Sequence, residues 1–351
     1  MIKQYNAIGL QCRQFCDVQQ NLRHLSNCID MAFTLASQEL PVKLVCLPES
    51  AIQGFPMGDP PVTTIPGLET DFFAAKAKAL NTYIIGQLLF VKLKGIPDDR
   101  LFNCLFIVND KGEMIYWRAK TQLERIEAQW TTVPHDVWDL WVKEYGDDLN
   151  AFYPVVDTEI GKLGCAVCME RGYPEVTRGL AVNGAEVIYM STYHEPYVGN
   201  GMYECIVRTR AFENTTYVIS PNSGAHKFPN FDAPFDICGG INLIADYKGN
   251  VIGRHQTTDD SFVGATIDIE ALRQYRENNL GVGNFVKDLR TEQFRMIYDN
   301  PIYPKNTRSK GKMPSAPKLY EKEGEILQNN IDELKRRGIY KSSAFYEPAK
   351  K

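Results

Sequence analysis

One stretch constrains the fold of this chain more than any other: residues 162–189, which read KLGCAVCMERGYPEVTRGLAVNGAEVIY. A run of apolar and small residues leads to Cys168, a turn follows, and the pattern predicts a helix that begins at Pro174. A thiol at the C-terminal tip of a buried strand, directly before a helix, is where an α/β enzyme holds a nucleophile. Backbone N–H groups at such a turn are placed to face a developing oxyanion.

Helices alternate with strands along the rest of the chain. Periodicity predicts an amphipathic helix over residues 18–37 and a continuous apolar strand over 42–47. Two turn sequences, DKG and KGN, predict hairpins. Residues 122–150 follow no regular period, a strand is predicted over 152–157, and a charged helix over 321–337. The pattern indicates an α/β fold with a mixed sheet.

Composition narrows the class of protein. The 351 residues are 44% hydrophobic and 23% charged, with a formal net charge of −4, which is ordinary for a globular protein with a large core. Because there is no basic surplus, we expect neither nucleic acid nor an anionic membrane as a partner. No window approaches the ~20 apolar residues of a membrane span, and the N-terminus lacks a signal-type apolar core. Nine scattered cysteines indicate reduced thiols, so we expect a cytoplasmic protein.

Two further residues with reactive side chains follow predicted strands. Glu49 comes after the apolar run LVCLP, and its carboxylate would take a thiol proton and pass it to a leaving amine if burial raised its pKa. Lys120 ends the strand IYWRAK, and its ammonium would stabilise a thiolate and an oxyanion. Either residue alone is as easily a solvated charge. Together with Cys168, the two predict a nucleophilic site.

Cys168 has two other interpretations. A cysteine is commonly a buried small hydrophobe, and Cys165 with Cys168 also forms a C-x-x-C pair of the redox or metal-binding type. Cys165 lies inside the predicted strand, where its side chain faces away from that of Cys168. No second C-x-x-C is present to complete a zinc site. We therefore expect a site without a metal or an organic cofactor.

Several motifs together resemble the nitrilase superfamily, the carbon–nitrogen hydrolases. The resemblance spans about residues 5–280, and it is carried by LPESAIQGF, YWRAK, GCAVCMERGYPE, RTRAFENTTYVISPN and GGINLIADYKGNVIG. It implies a four-layer αββα sandwich that pairs through helices into a dimer. It also implies that Glu49, Lys120 and Cys168 are the catalytic Glu–Lys–Cys set.

The resemblance implies supporting residues as well. Members commonly carry a second glutamate shortly after the lysine, and Glu124 and Glu127 both lie in range, with Glu127 nearer the spacing of nitrilases. Glu170 matches the acidic position after the cysteine, where it would support the turn. The N–H of Met169 is the candidate oxyanion donor. For both Glu124 and Glu127, the alternative interpretation is a charged surface residue in a polar loop.

Two residues are expected to face the substrate. Tyr193 and His194 follow the strand VIYMST, so they are predicted to line the pocket, although a loop histidine without any role is an equally simple interpretation of His194. Pocket size depends on loops whose conformations do not follow from the sequence. The substrate itself is therefore not identified by the sequence.

The expected activity is hydrolysis of a non-peptide carbon–nitrogen bond through a thioester on Cys168. The segments GYPEVTRGLAVNGAEVI and RTRAFEN resemble amidases and N-carbamoyl amide hydrolases, which favours a linear amide or an N-carbamoyl compound and release of ammonia or amine. The segments GFPMG and CMER resemble nitrilases, so a nitrile is the alternative substrate. An acyltransferase is a third possibility, and an inactive binding relative is a fourth, from a different class.

The C-terminal part differs in composition from the rest. We divide the chain into a hydrolase domain, residues 1–284, and a C-terminal extension, residues 285–351, which has too little apolar content to fold alone. Its apolar residues are spaced apart, which suggests that it lies on another surface: Phe285, Leu289, Phe294, Ile297, Tyr298, Ile302 and Tyr303. We expect a homo-oligomer built from dimers, in which residues 285–305 clasp a neighbouring chain. The alternative is an extension that packs on its own subunit.

Overall fold

The computed structural model describes residues 2–37, 40–55, 58–193 and 200–343. Its strands are β1 Gln4–Gln11, β2 Gln14–Phe15, β3 Val42–Cys46, β4 Thr63–Thr64, β5 Tyr83–Lys92, β6 Phe102–Val108, β7 Met114–Ala119, β8 Val156–Thr158, β9 Gly161–Val167, β10 Val187–Ser191, β11 Tyr217–Ser220, β12 His226–Lys227, β13 Ile241–Ala245, β14 Val251–Gln256 and β15 Ser261–Asp268. Its α-helices are α1 Val18–Ala36, α2 Leu68–Leu80, α3 Trp138–Tyr145, α4 Leu149–Phe152, α5 Pro174–Val182, α6 Met202–Asn214, α7 Ile269–Asn278, α8 Thr291–Arg295 and α9 Ala316–Arg336.

The strands form two large sheets. The first has the order β15-β1-β3-β5-β6-β7, with β4 beside β5, and the second has the order β14-β13-β11-β10-β9-β8. Strands β1, β3 and β5 are parallel, as are β9, β10 and β11, whereas the pairs towards the sheet edges are antiparallel. The mixed sheet that the sequence predicts is confirmed.

The two sheets pack face to face, and helices cover their outer faces. Neighbouring side chains of a strand point to opposite faces of its sheet. In β3, Leu44 therefore packs into the core between the sheets, while Val45 packs with α1 and α2. In β9, Cys165 faces the first sheet and Ala166 packs with α5 and α6. The layers are helix, sheet, sheet and helix, so the expected αββα sandwich is confirmed.

Helix α1 follows the predicted bounds closely. Asp17 caps its N-terminus by accepting a hydrogen bond from the backbone N–H of Gln20 at 2.7 Å. Its buried face repeats every three or four residues and consists of Asn21, Leu22, Leu25, Ile29 and Ala32. The helix therefore packs on the first sheet through one apolar stripe.

The segment 122–150 is more regular than its sequence predicts. It contains α3 and the start of α4. Aromatic side chains of this segment pack against one another and stabilise the helices. Trp138 stacks on Phe152 with ring centroids 5.2 Å apart, and Trp141 is buried. The strand expected over 152–157 begins only at Val156, since Phe152 closes α4.

The C-terminal extension packs partly on its own chain. Arg308 is buried, and its Nη1 donates to the carbonyl oxygens of Ala128 at 3.1 Å and Thr131 at 2.7 Å. Helix α9 begins at Ala316, earlier than the expected residue 321, because Pro317 is well suited to the first turn of a helix. No helix among the described ranges combines the length and apolar character that a membrane crossing requires.

The first part of the extension leaves large apolar side chains in water: Phe294, Met296, Ile297, Tyr298 and Ile302. Contiguous exposed apolar groups often mark an interaction surface. The expectation that residues 285–305 clasp a neighbouring chain stays a prediction, as does the domain boundary at residue 284.

Candidate active site

The three reactive residues lie at the C-terminal ends of strands. Strands β3 and β7 run in the same direction, so Glu49 and Lys120 come to the same edge of the first sheet. Cys168 follows β9 of the second sheet. The Nζ of Lys120 lies 3.6 Å from Oε1 of Glu49, and the thiol of Cys168 interacts with the Glu49 carboxylate. The fold thus brings the three side chains together.

Cys168 has a left-handed backbone conformation. Its φ is +53°, which costs a non-glycine residue about 1–2 kcal/mol, and it begins the 3-10 turn Cys168–Gly172 that leads into α5. Arg171 holds the turn by donating from Nη1 to the carbonyl oxygen of Cys168 at 2.9 Å. The sharp turn projects the thiol off the end of β9, as a nucleophile requires.

The second glutamate in contact with the lysine is Glu127. Its Oε1 accepts a hydrogen bond from the Nζ of Lys120 at 2.5 Å, and its Oε2 accepts one from the backbone N–H of Glu124 at 2.8 Å. The side chain of Glu124 is exposed and lines the cavity described below. The sequence leaves the choice between these glutamates open, whereas the structure places only Glu127 against the lysine.

Burial sets the ionisation of the site. Burial raises the pKa of Glu49, and the neighbouring Lys120 only partly offsets that rise. Burial and the adjacent Glu49 raise the pKa of Cys168 to about 12. Burial would lower the pKa of Lys120, but Cys168, Glu127 and Glu49 together raise it. At neutral pH the resting site therefore holds a thiol beside an ammonium.

Polar side chains inside the first sheet orient Glu49. Asn103 Nδ2 lies 3.5 Å from Oε1 of Glu49, and Gln87 donates to Asn103 Oδ1 at 2.6 Å. Gln87 in turn accepts a hydrogen bond from the backbone N–H of Ser50 at 2.8 Å. The sequence analysis missed Gln87 and Asn103. The sequence feature that could have indicated these residues is an amide side chain within an otherwise apolar strand, as in YIIGQLLFVK and FNCLFIV.

Glu170 lies beneath the cysteine turn and outside the cavity lining. It forms a bidentate pair with Arg118, at 2.7 and 2.8 Å, and both side chains are buried. Its carboxylate also accepts hydrogen bonds from the backbone N–H groups of Thr121 at 2.7 Å and Val167 at 3.0 Å. Although burial would raise it, the pKa of Glu170 is lowered by Arg118 and these donors. Glu170 thus ties the end of β9 to the segment that carries Lys120.

A cavity of about 520 Å³ opens onto Glu49 and Cys168. Most of its other lining residues are aromatic or aliphatic: Phe55, Leu89, Phe90, Ile126, Trp130, Tyr193, Ile237 and Tyr320. Tyr193 is thus placed in the lining, whereas His194 lies outside the described residues. Met169 directly follows Cys168 in the turn, and its side chain is 36% exposed. Tyr320 comes from the C-terminal extension, a contribution for which the sequence carries no evident signal.

The grouping of side chains that is tight enough to hold a metal ion lies elsewhere in the described part of the chain. It consists of Cys12, Cys28 and Asp260, none of which lines this cavity. At the cavity, the carboxylates of Glu49 and Glu127 both face the buried ammonium of Lys120. Their arrangement suits nucleophilic attack by sulfur on a polarised carbon, followed by proton transfer through a carboxylate.

Glu170→Gln tests the support beneath the cysteine turn. The substitution leaves Arg118 buried without a charged partner, so we expect the free energy of unfolding to fall by about 3 kcal/mol or more in urea denaturation. Because the pKa of Glu170 is lowered in the folded state, its stabilisation is present above the ordinary glutamate value of about 4.3 and is lost as pH falls through the lowered pKa. The difference between the variant and the parent should therefore shrink in acid.

Glu333→Gln is the matched control. Glu333 pairs with Arg336 and Arg337 on the exposed surface of α9, where water screens the charges. We expect no measurable change in the urea midpoint for this variant. Equal midpoints for the parent and Glu170→Gln would contradict the role of the buried pair.

The sequence of this chain is similar to those of known proteins. Residues 9–277 match the carbon–nitrogen hydrolase family. Deaminated glutathione amidase of Mus musculus is 26% identical over 182 residues, and the alignment covers 52% of each protein. The chain thus spans about half the length of that relative. A hydrolase encoded in the pqqF 5′ region of Pseudomonas protegens is 26% identical over 293 residues, covering 81% of this chain and 87% of that protein.

Solved structures share the fold. A carbon–nitrogen hydrolase from Helicobacter pylori G27 superposes with a TM-score of 0.65 at 19% identity, covering 85% of this chain and 99% of that one. A mutant of the Nesterenkonia AN1 amidase, from the nitrilase superfamily, superposes with a TM-score of 0.61 at 16% identity, covering 84% and 97% of the two chains. The resemblance carried by the sequence motifs is confirmed. The match over residues 9–277 shows that this chain belongs to the carbon–nitrogen hydrolase family.

Proposed function

We propose that this chain hydrolyses a linear amide or an N-carbamoyl compound through a thioester on Cys168. One observation carries the proposal: a buried thiol on a left-handed turn faces a carboxylate of raised pKa and a buried ammonium beside a cavity. These are a nucleophile, a general base and a positive charge in a single place. The amidase relatives support the choice of an amide.

The first step forms a carbon–sulfur bond. Glu49 takes the proton of the Cys168 thiol while the sulfur attacks the carbonyl carbon, and the carbonyl oxygen gains negative charge. The ammonium of Lys120 and the backbone N–H of Met169 stabilise that oxygen. Because the pKa of Cys168 is raised to about 12, removal of the proton accompanies attack and does not precede it.

The later steps return the site to its starting state. Protonated Glu49 donates its proton to the nitrogen as the carbon–nitrogen bond breaks, so that ammonia or an amine leaves and a thioester remains. Water then attacks the thioester carbon, and Glu49 accepts its proton. The thiolate leaves as Cys168 and recovers a proton from Glu49. The balance is one amide and one water giving one acid and one amine.

Glu127 is proposed to position Lys120. Its carboxylate accepts the hydrogen bond from Nζ, while its other oxygen is held by the backbone of Glu124. Lys120 therefore keeps Glu127 as a carboxylate partner when Glu49 becomes protonated during turnover. This arrangement keeps the ammonium charged through each step, as oxyanion stabilisation requires.

A nitrile is the alternative substrate, with a thioimidate in place of the thioester. This candidate is favoured by the similarity to a probable nitrilase of Schizosaccharomyces pombe, which is 21% identical over 266 residues, covering 75% of this chain and 88% of that protein. We also propose a homo-oligomer built from dimers, which the exposed apolar side chains before residue 303 support, and a cytoplasmic location, which the free cysteines support. An inactive binding relative would show no turnover in the experiment below.

Turnover of a substrate panel tests the proposal. Short amides, N-carbamoyl compounds and nitriles are incubated with the parent and with Cys168→Ala, Glu49→Gln and Lys120→Met, and ammonia release and product mass are measured. We expect no turnover from Cys168→Ala and at least ~10²-fold lower rates from the other two variants. Because Glu49 must start as a carboxylate, kcat/KM should rise as pH climbs through its raised pKa.

Cys205→Ala is the matched control, because Cys205 is an exposed cysteine of α6 outside the cavity lining. This variant should keep the parent's rate on every substrate. Turnover by Cys168→Ala, or rates within a few-fold of the parent for Glu49→Gln or Lys120→Met, would show that the roles are wrongly assigned.

A further inference from the structure

The C-terminal extension reaches into the substrate cavity. The family match ends at residue 277, yet Tyr320 of α9 lines the cavity together with Cys168. The guanidinium of Arg125 lies 4.0 Å from the centroid of the Tyr320 ring, and its Nε lies 3.4 Å from the Tyr320 carbonyl oxygen. A cation over an aromatic face is attracted by the ring. Arg125 therefore fixes Tyr320 over the cavity.

Arg125 fits closely against helix α9. One turn beyond Tyr320 the helix has Gly324, and a Cβ built at that position would lie 2.4 Å from Nη2 of Arg125. Because Gly324 has no side chain, the guanidinium of Arg125 can occupy the space beside the helix. The contact joins α9 to the segment that carries Glu127.

Arg308 clamps the same segment from another side. Its Nη1 holds the carbonyl oxygens of Ala128 and Thr131, and its Nη2 pairs with Glu323 of α9 at 3.2 Å. Arg308 and Glu323 are both buried, so this link is shielded from water. The C-terminal extension is therefore packed firmly against the segment that carries Glu127.

The cavity that results is mainly apolar. The ring of Phe55 meets Trp130 edge to face, with centroids 5.4 Å apart, and lies nearly parallel to Tyr193 at 6.0 Å. Lys120 pairs with both Glu49 and Glu127, and the cavity lining also carries the charged side chains of Glu124 and Arg125. A volume of about 520 Å³ falls in the range that binds extended organic ligands, and a short aliphatic amide would fill little of it.

We propose that the substrate is an amide whose acyl group ends in an aromatic ring, and that Tyr320 of the C-terminal helix forms the outer wall of the site for that ring. This inference rests on the proposed amide hydrolysis. Phe55, Trp130 and Tyr193 provide the inner wall, and offset or edge-to-face contacts with them favour a flat apolar group.

The test compares acetamide with 3-phenylpropanamide. The parent should show at least ~10-fold higher kcat/KM for the phenyl amide, a ratio within the range that apolar pockets achieve. Tyr320→Ala should lower kcat/KM for the phenyl amide by ~10-fold, chiefly through KM, and lower that for acetamide much less. Tyr320→Phe should restore the preference. Tyr340→Ala, at a half-exposed tyrosine outside the cavity lining, is the control and should keep the parent's ratio.

A parent that prefers acetamide, or a preference that Tyr320→Ala leaves unchanged, would overturn the proposal. If the parent hydrolyses no amide at all, the proposed function fails, and the wall is tested by alkylation of Cys168. Iodoacetamide and its N-benzyl derivative are then compared by peptide mass spectrometry. Faster labelling by the benzyl reagent that is lost in Tyr320→Ala supports the aromatic wall, and equal loss with both reagents overturns it.

A second, independent observation concerns a cluster of metal-binding side chains outside the cavity. Cys12 follows β1, His24 and Cys28 lie one turn apart on α1, and Asp260 precedes β15. The two sulfur atoms and a carboxylate oxygen of Asp260 lie within 4.8 Å of one another. The Nε2 of His24 lies 2.9 Å from Oδ1 of Asp260 and 3.7 Å from Sγ of Cys28.

The separation of 3.7 Å between His24 and Cys28 is that of neighbouring ligands on a zinc ion, whereas His24 and Asp260, which are hydrogen bonded at 2.9 Å, would move slightly apart to bind one. With zinc–ligand bonds of about 2.0–2.3 Å, a tetrahedral site separates neighbouring ligand atoms by roughly 3.3–3.8 Å. The two thiolates and the carboxylate of the tight group are zinc ligands, and the imidazole of His24, which contacts Cys28 and Asp260 but lies outside that group, would be the fourth. Arg13 also faces the Asp260 carboxylate: its backbone N–H donates to Oδ1 at 2.7 Å, and its Nε lies 3.8 Å from Oδ2. We propose that this cluster binds one zinc ion, which ties α1 to the turn before β15.

Zinc binding is measured in the Cys168→Ala chain, so that the active-site thiol does not compete. The protein is reduced, stripped with a chelator and titrated with Zn²⁺ against a chromophoric chelator, and melting is followed in parallel. We expect one equivalent bound with a raised melting temperature, and at least ~10-fold weaker binding in Cys12→Ser and Cys28→Ser, because each loses a ligand. Cys205→Ser, at the exposed cysteine, should bind as the parent does.

Zinc affinity that is equal in the parent and in Cys28→Ser would overturn the site. A melting temperature of the reduced parent that zinc leaves unchanged would overturn it as well. If Cys12→Ser fails to fold, Asp260→Asn serves in its place, since Asp260 is partly exposed and its substitution removes a ligand without opening the core.

Discussion

The site depends on one positive charge that is buried among the groups it serves. Lys120 is fully buried, and an ammonium is tolerated there because Glu127 and Glu49 lie 2.5 and 3.6 Å from its Nζ. The same burial, together with Glu49, keeps the thiol of Cys168 protonated against the attraction of the lysine. The resting site therefore stores no thiolate. Sulfur becomes a nucleophile only as Glu49 takes its proton, and the lysine is then free to stabilise the oxyanion.

The surrounding fold holds this group in place by hydrogen bonds within the sheets and by the extension. Two buried glutamates show how environment divides the roles: the pKa of Glu49 is raised by burial, whereas that of Glu170 is lowered by Arg118 and backbone donors. The first is suited to move protons, and the second stays ionised and braces the strained turn at Cys168. The extension adds Arg308, which fixes the turn that carries Glu127. Residues outside the family match thus contact the catalytic segment directly.

The sequence predicts well whatever depends on local pattern. The periodicity of α1, the apolar run of β3 and the turn after β9 each carry their own signal, so an α/β fold with a mixed sheet follows from the residue pattern, whereas the four layers are implied by the resemblance to the nitrilase superfamily. Contacts between distant segments leave no such signal. The packing of Trp138 on Phe152 accompanies helices in a stretch whose sequence shows no regular period, and Tyr320 lies at the cavity through contacts such as that with Arg125. The choice of Glu127 over Glu124 likewise depends on how a loop folds over Lys120.

The protonation state of Cys168 at rest is the most direct test of this account. Thiolate absorbance in the ultraviolet is recorded as a difference between the parent and Cys168→Ala across the pH range in which both remain folded. Because the pKa of Cys168 is raised to about 12, we expect no thiolate from this residue as pH passes the free-cysteine value of about 8.5. Loss of a proton from Cys168 at or below about 8.5 would show that the enzyme stores a thiolate, and it would contradict the account.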